Sequence, residues 1–70
     1  MQLKEALARK GFKVRDLYEQ MVKRYAVDYQ TVARYCRCSN RSKFDATMWS
    51  WIDSTLTDME VTWNERQRIN

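Results

Sequence analysis

The residues best suited to chemistry lie between positions 29 and 37, where polar, aromatic and basic side chains recur at helical spacing. Glutamine can donate to and accept from adenine, and arginine can bind guanine through two parallel hydrogen bonds. Tyrosine and alanine can contact the methyl group of thymine, and threonine can reach a base or a phosphate. We therefore predict that the following residues contact the base edges of duplex DNA: Tyr29, Gln30, Thr31, Ala33 and Arg34.

Cations around the same stretch are suited to binding the phosphate groups of such a duplex. They are Lys23, Arg37, Arg41 and Lys43. Arg41 and Lys43 stand beside the start of a predicted fourth helix, whose free backbone N–H groups would add to an anion site. The alternative, for these residues as for Arg34, is an ordinary solvated charge on a helix surface.

The formal net charge of the 70-residue chain is +4, and its placement is uneven. Ten basic and three acidic side chains lie between Arg9 and Lys43, whereas five acidic and two basic ones follow from Phe44 onward. A basic half suits a polyanion, and an acidic half keeps the rest of the molecule away from it. The distribution therefore favours a nucleic-acid partner.

Residues for catalysis or metal binding are few. The chain has no histidine, and its only two cysteines, Cys36 and Cys38, cannot complete a tetrahedral zinc site within one chain. We predict free cysteines, no enzymatic activity, no cofactor, no metal and no small-molecule ligand. No apolar run approaches the ~18 residues of a membrane span, and no signal peptide pattern opens the chain. A soluble, cytoplasmic, nucleoid-associated protein is expected.

The elements that would position these residues are short helices. Met1 to Lys10 has an apolar stripe and Gly11 to end it, which predicts the first helix. A second buried stripe predicts the next helix: Val14, Leu17, Tyr18, Met21 and Tyr25. Asp28 is suited to cap a third helix that starts at Tyr29, because its carboxylate can accept from the free N–H groups that follow.

The stretch from Met21 to Arg37 resembles the helix-turn-helix of the lambda-repressor and Cro-like family, and with its flanks the resemblance covers Leu3 to Leu56. It implies two helices at a sharp turn, duplex DNA binding and an origin in a phage or mobile element. Ala26 stands where the family has glycine, so strain of about 1 kcal/mol is expected there. Leu17 is four residues too far upstream, which is about one helical turn and keeps Leu17, Met21 and Tyr25 on one side. One long helix from Val14 to Cys36 is the alternative, because no Gly or Pro interrupts it.

A fourth helix is predicted to start at Ser42, where Ser42 and Asp45 have the spacing of a capping box. Its core stripe is Phe44, Met48, Trp51, Ile52, Thr55, Leu56 and Met59. Trp49 lies off this stripe, which leaves it exposed or against a partner. The chain divides into a helix-turn-helix domain, 1–59, and a C-terminal arm, 60–70, that is a short strand for dimerisation or a disordered tail.

These patterns predict an all-α domain of four to five helices. It would bind double-stranded DNA as a homodimer and act as a small repressor by promoter occupancy, since 70 residues leave little room for an effector domain. A domain this small buries only ~60% of its extended surface, so dimerisation would also stabilise it. The expected dimer interface is Trp49, Val61 and Trp63. The alternative is a helical protein-binding module, such as a phage-encoded inhibitor, that uses Trp49 and Trp63 on a protein partner.

Overall fold

Four helices make up the fold of the computed structural model, which describes residues 1–39 and 45–63. They are α1 (Leu3–Arg9), α2 (Val14–Val22), α3 (Tyr29–Cys36) and α4 (Ala46–Met59). Helix α3 packs against α2 and α1, and α4 packs against α2. The predicted all-α class is confirmed, and the described residues contain no strand.

Short-range hydrogen bonds set the ends of the first two helices. The backbone N–H of Gln2 donates to Glu5 Oε1 at 3.1 Å, and that of Lys13 donates to Asp16 Oδ2 at 2.7 Å. Each bond satisfies a donor that the helix itself leaves free at its N-terminal end. After α1 the chain passes through Gly11 with φ of 82°, so the predicted terminating glycine is confirmed.

Among the residues that the structure describes, two occupy the left-handed region of backbone conformation, and one of them is not glycine. Gly11 has no heavy atom within 4 Å of where a Cβ would stand, so a side chain there would meet conformational strain but no clash. Glu60 has φ of 60° at the C-terminal end of α4. An L-residue with a Cβ is strained in this region.

Exchanging the residue types at these two sites should change stability in opposite directions. We expect Gly11→Ala to lower the free energy of unfolding by about 1 kcal/mol, because alanine is strained at positive φ. We expect Glu60→Gly to raise it by about 0.5 kcal/mol, since relief of strain exceeds the extra entropy of the unfolded chain. Urea unfolding of each variant measures both, with Glu60→Ala as the control for loss of the carboxylate. A Gly11→Ala variant as stable as the parent would contradict the assigned backbone.

The core draws on every helix. Its fully buried side chains are Leu3, Leu7, Leu17, Met21, Val32, Cys36 and Ile52. Leu17 and Met21 are both at 0% exposure and one turn apart on α2. Helix α2 therefore contributes two successive turns to the core.

The fourth helix differs from its prediction in start and in rotation. It begins at Ala46, where Asp45 Oδ1 accepts from Thr47 N at 3.0 Å; Ser42 and Phe44 lie outside the described residues. Trp49, predicted to be off the stripe, is buried, whereas Trp51 and Met59, predicted in the core, are only half-buried. The buried side of α4 is Met48, Trp49, Ile52, Thr55 and Leu56.

Residues 61–63 explain that rotation, because they return over the helices and supply a cover for Trp49. Val61 and Trp63 are each 7% exposed. The backbone N–H of Val61 donates to Leu56 O at 2.9 Å, and Trp63 Nε1 donates to Met1 O at 3.0 Å. Val61 and Trp63, from the segment assigned to the arm, are thus packed in the core with the helices. The remainder of the predicted arm, 64–70, lies outside the described residues.

Candidate nucleic-acid interface

A tight connection separates α2 from α3. Helix α2 ends at Val22 and α3 begins at Tyr29, so the alternative of one long helix is wrong. Lys23 is the C-cap of α2 and Asp28 is the N-cap of α3, which leaves residues 24–27 as the turn. This length suits a helix-turn-helix connection of three to four residues.

The turn is made without the backbone strain that its sequence led us to expect. Tyr25 N donates to Met21 O at 2.8 Å, and Val27 N donates to Tyr25 O at 3.1 Å. Among the described residues, Glu60 is the only one other than glycine with positive φ. Ala26 therefore lies outside the left-handed region, and the expected penalty of about 1 kcal/mol for the missing glycine does not arise.

Contacts with α4 hold this turn in place. The ring of Tyr25 stacks on Trp51, with centroids 4.6 Å apart and planes 6° from parallel. Arg24 forms an ion pair with Asp58 and donates to Ser54 Oγ at 3.3 Å. Tyr25 thus lies beyond the end of α2, which corrects its place on the buried stripe of that helix. The contacts of Arg24 and Tyr25 with α4 therefore fix the turn and, with it, the direction of α3.

Asp28 caps α3 as predicted. Its Oδ1 accepts from the backbone N–H of Thr31 at 3.3 Å. The pKa of Asp28 lies below its ordinary value of 3.8, mainly because the Thr31 side chain also donates to this carboxylate, and the backbone bond adds to the effect. The negative charge also stabilises the positive end of the α3 dipole. The start of the candidate recognition helix is therefore fixed by a charged cap.

Acid should weaken this cap in a defined direction. Because the pKa of Asp28 is lower in the folded chain, the ionised cap stabilises the fold above the unfolded pKa, and that contribution is lost as pH falls through the folded pKa. We expect the parent to exceed Asp28→Asn in thermal stability at neutral pH, and the difference to shrink below about pH 4. Asp28→Ala, which removes the cap altogether, should be the least stable. A difference between parent and asparagine variant that does not change with pH would contradict this assignment.

The structure brings all the predicted base-contacting residues except Thr31 together on one side of α3, and Arg37, a predicted phosphate contact, lies on the same side. At about 100° per residue, the arc from Tyr29 to Arg34 spans about 140°. It consists of Tyr29, Gln30, Ala33, Arg34 and Arg37. All are exposed except Ala33, which is half-buried. We call this arc the exposed face of α3.

Thr31 and Lys23 lie off the exposed face of α3, whereas Arg37 lies on it. Thr31 is half-buried and lies beyond the edge of the exposed face, about 60° past Arg34. Lys23 is exposed at the C-terminal end of α2, beside the turn, and Arg37 is exposed at the end of α3. Arg41 and Lys43 lie outside the described residues.

Arg15 and Tyr18, which sequence reasoning left out of the site, contact its first residue. The guanidinium carbon of Arg15 lies 5.7 Å from the centroid of the Tyr29 ring. Tyr18 meets the same ring edge-on, at 5.6 Å and 88°. We call Arg15, Tyr18 and Tyr29 the aromatic corner. The only local signal was the place of Arg15 on the outer side of α2, since the contact itself depends on the turn.

The cysteines show no sign of a metal site. Burial raises the pKa of the Cys36 thiol to about 12, and the half-buried Cys38 donates to Arg34 O at 3.7 Å. Both are free thiols, as predicted. Nowhere in 1–39 and 45–63 do three or more His, Cys, Asp or Glu side chains come together as metal ligands. In the same ranges no helix has the length and apolar character needed to cross a membrane.

The residues assigned to a dimer interface are core residues. Trp49 is 3% exposed, with its ring 4.8 Å from Tyr35 and 5.5 Å from Trp63 between centroids. Val61 and Trp63 are buried against the same cluster. Their side chains pack within one chain, and their assignment to a dimer contact stays a prediction. The homodimer itself stays a prediction.

The helix-turn-helix resemblance is an interpretation of spacing between Met21 and Arg37. The structure adds a capped α3, a short turn and an exposed face to that interpretation. A comparison of the chain with family profiles, curated proteins and solved structures gives no match.

Proposed function

We propose that this chain binds double-stranded DNA through the exposed face of α3 and acts as a transcriptional regulator that represses by occupying a promoter. The observation that carries the proposal is the convergence of Gln30 and Arg34 on one side of a capped helix. Both side chains present hydrogen-bonding groups that distinguish base pairs in the major groove. Exposure near the start of a recognition helix is what such contacts require.

The cations of this region support the same proposal. Within the described residues the one ion pair joins Arg24 to Asp58. Arg15, Lys23, Arg34 and Arg37 are exposed and form no ion pair there. DNA could therefore bind these side chains without breaking an existing ion pair. Their binding to its phosphates would release counterions from the duplex.

The rival function loses the residues on which it depended. A protein-binding module was to use Trp49 and Trp63, and both side chains are buried in the core. Among the described residues, the large apolar side chains that are exposed, Val22 at 44% and Tyr29 at 41%, belong to α2 and α3 instead. They adjoin the face proposed for DNA.

A homodimer on DNA is part of the proposal. Two-fold pairing would place two α3 helices about 34 Å apart, one turn of the duplex, and would double the number of bases contacted. The interface must leave the exposed face of α3 free. A cytoplasmic, nucleoid-associated protein follows from this function.

Titration of ¹⁵N-labelled protein with a mixed-sequence duplex of about 20 base pairs, roughly two turns of B-DNA, would test the proposed surface by NMR. We expect the largest amide shifts at 29–37 and near the N-terminal end of α2. The exposed side of α4, which includes Ser50 and Thr57, serves as the internal control. Shifts concentrated on α4, or no shifts at low salt, would contradict the proposal.

A further inference from the structure

The guanidinium of Arg15 lies over the ring of Tyr29 and has no ion pair among the described residues. Arg15 is the second residue of α2, exposed, with its guanidinium above the Tyr29 ring at 5.7 Å. A guanidinium that stacks on an aromatic ring can still donate from its N–H groups in its own plane. Among the described residues no carboxylate pairs with it. Arg15 is therefore placed beside Tyr29 with its charge unpaired among the described residues.

The ring beneath Arg15 is fixed as well. Tyr18 contacts Tyr29 edge-on at 5.6 Å, so α2 holds the first residue of α3 at two points. Val22 lies one turn after Tyr18 on the same side of α2 and is 44% exposed. Val22 and Tyr29 are the large apolar side chains that are exposed among the described residues.

We infer that the aromatic corner is a binding site for the DNA backbone, in which Arg15 binds a phosphate oxygen and Tyr29 positions Arg15. The ligand class follows from charge and shape. A phosphate accepts two N–H donors from a planar guanidinium, and the adjoining deoxyribose offers an apolar surface to Tyr29 and Val22. This inference rests on the proposed function, and it makes Tyr29 a positioning residue in addition to a predicted base contact.

A double-mutant cycle tests the coupling between Arg15 and Tyr29. Binding of a fluorescent mixed-sequence duplex of about 20 base pairs would be measured between about 50 and 200 mM salt. We expect Arg15→Gln to weaken binding about tenfold and to reduce the slope of log K against log[salt] by about 0.9. Tyr29→Leu should weaken DNA binding several-fold more when it is made in the parent protein than when it is made in the Arg15→Gln variant. Tyr29→Phe, which keeps the ring, should behave like the parent.

Arg9 supplies the matched control, because it is also an exposed arginine near a helix end but has no described contact with Tyr29. Arg9→Gln and Tyr29→Leu should be additive. All substituted residues are exposed, and unchanged helical circular dichroism and unfolding midpoints would show that each variant folds.

The outcomes separate this inference from the proposed function. An unchanged salt slope in Arg15→Gln, together with lost sequence discrimination in Gln30→Ala or Arg34→Ala, would overturn the inference and leave the function standing. Additivity of Arg15→Gln with Tyr29→Leu would overturn the positioning role. Tighter binding of the matching single strand than of the duplex would assign Tyr29 to base stacking instead. Failure of the parent to bind duplex would remove the proposed function itself.

Discussion

Replacing Gln30 or Arg34 with alanine is expected to change which DNA sequence the protein prefers, whereas replacing Lys23 or Arg37 should weaken binding to all sequences alike. Gln30 and Arg34 lie on the exposed face of α3 and can form paired hydrogen bonds with base edges. Each such pair contributes about 1–3 kcal/mol of discrimination, which is roughly five- to 150-fold in affinity ratio. A phosphate contact carries no such preference.

Competition titrations on a selected duplex and its single-base variants would measure this difference. The two recognition-helix variants should lose discrimination at particular base pairs, while Lys23→Ala and Arg37→Ala keep the order of preference and have a smaller salt slope. Arg41 and Lys43 are predicted to behave as Lys23 does. Unchanged discrimination in both Gln30→Ala and Arg34→Ala would contradict the assignment of the exposed face.

Truncating Trp49 should remove a large part of the stability of the fold. Trp49 is 3% exposed and contacts the rings of Tyr35 and Trp63. Removal of a buried Trp side chain costs about 3–5 kcal/mol. A domain of this size has about 3.5–10 kcal/mol of total stability, so Trp49→Ala should lose a large part of it.

Urea unfolding, followed by circular dichroism, would measure the loss. Trp49→Phe, which keeps an aromatic ring, should cost less, and the exposed control Val22→Ala should change stability by no more than about 0.5 kcal/mol. Sedimentation of the same samples distinguishes a core role of Trp49 from an interface role. A Trp49→Ala protein that remains fully stable but changes from dimer to monomer would favour the interface over the core.

The features that could be predicted from the sequence, the helix ends and the two sides of α3, depend on residues close together along the chain. Gly11 ends α1 and Asp28 begins α3 because a single residue type at the right place satisfies the backbone there. The exposed and buried sides of α3 follow from the period of its apolar residues, so its candidate contacts were predictable. Val32 and Cys36 are fully buried while Gln30 and Arg34 are exposed.

The rotation of α4 was not predictable in this way. Trp49 and Trp51 are two residues apart. The helical period of the apolar residues allows either side chain to face the core when the neighbouring elements are unknown. The structure buries Trp49 because residues 61–63 cover it, and Trp63 is itself held by Met1 from the other end of the chain. That contact spans 62 residues, and no local pattern encodes it.

The aromatic corner was missed for a related reason. Arg15 and Tyr29 lie on different helices, and their contact exists only once the turn fixes the angle between α2 and α3. The conformation of that turn depends on the stacking of Tyr25 on Trp51 and on the ion pair between Arg24 and Asp58. Spacing within one helix gives no information about either.

Selection of bound duplexes from a random pool would test sequence-specific DNA binding by α3, because the pool contains every candidate operator at once. We expect enrichment of a short sequence motif, present as an inverted repeat if the homodimer binds. Selection with Gln30→Ala/Arg34→Ala in parallel should enrich a different motif or none. A pool that shows no enrichment with the parent protein, together with binding that disappears at moderate salt, would contradict sequence-specific recognition of DNA by α3.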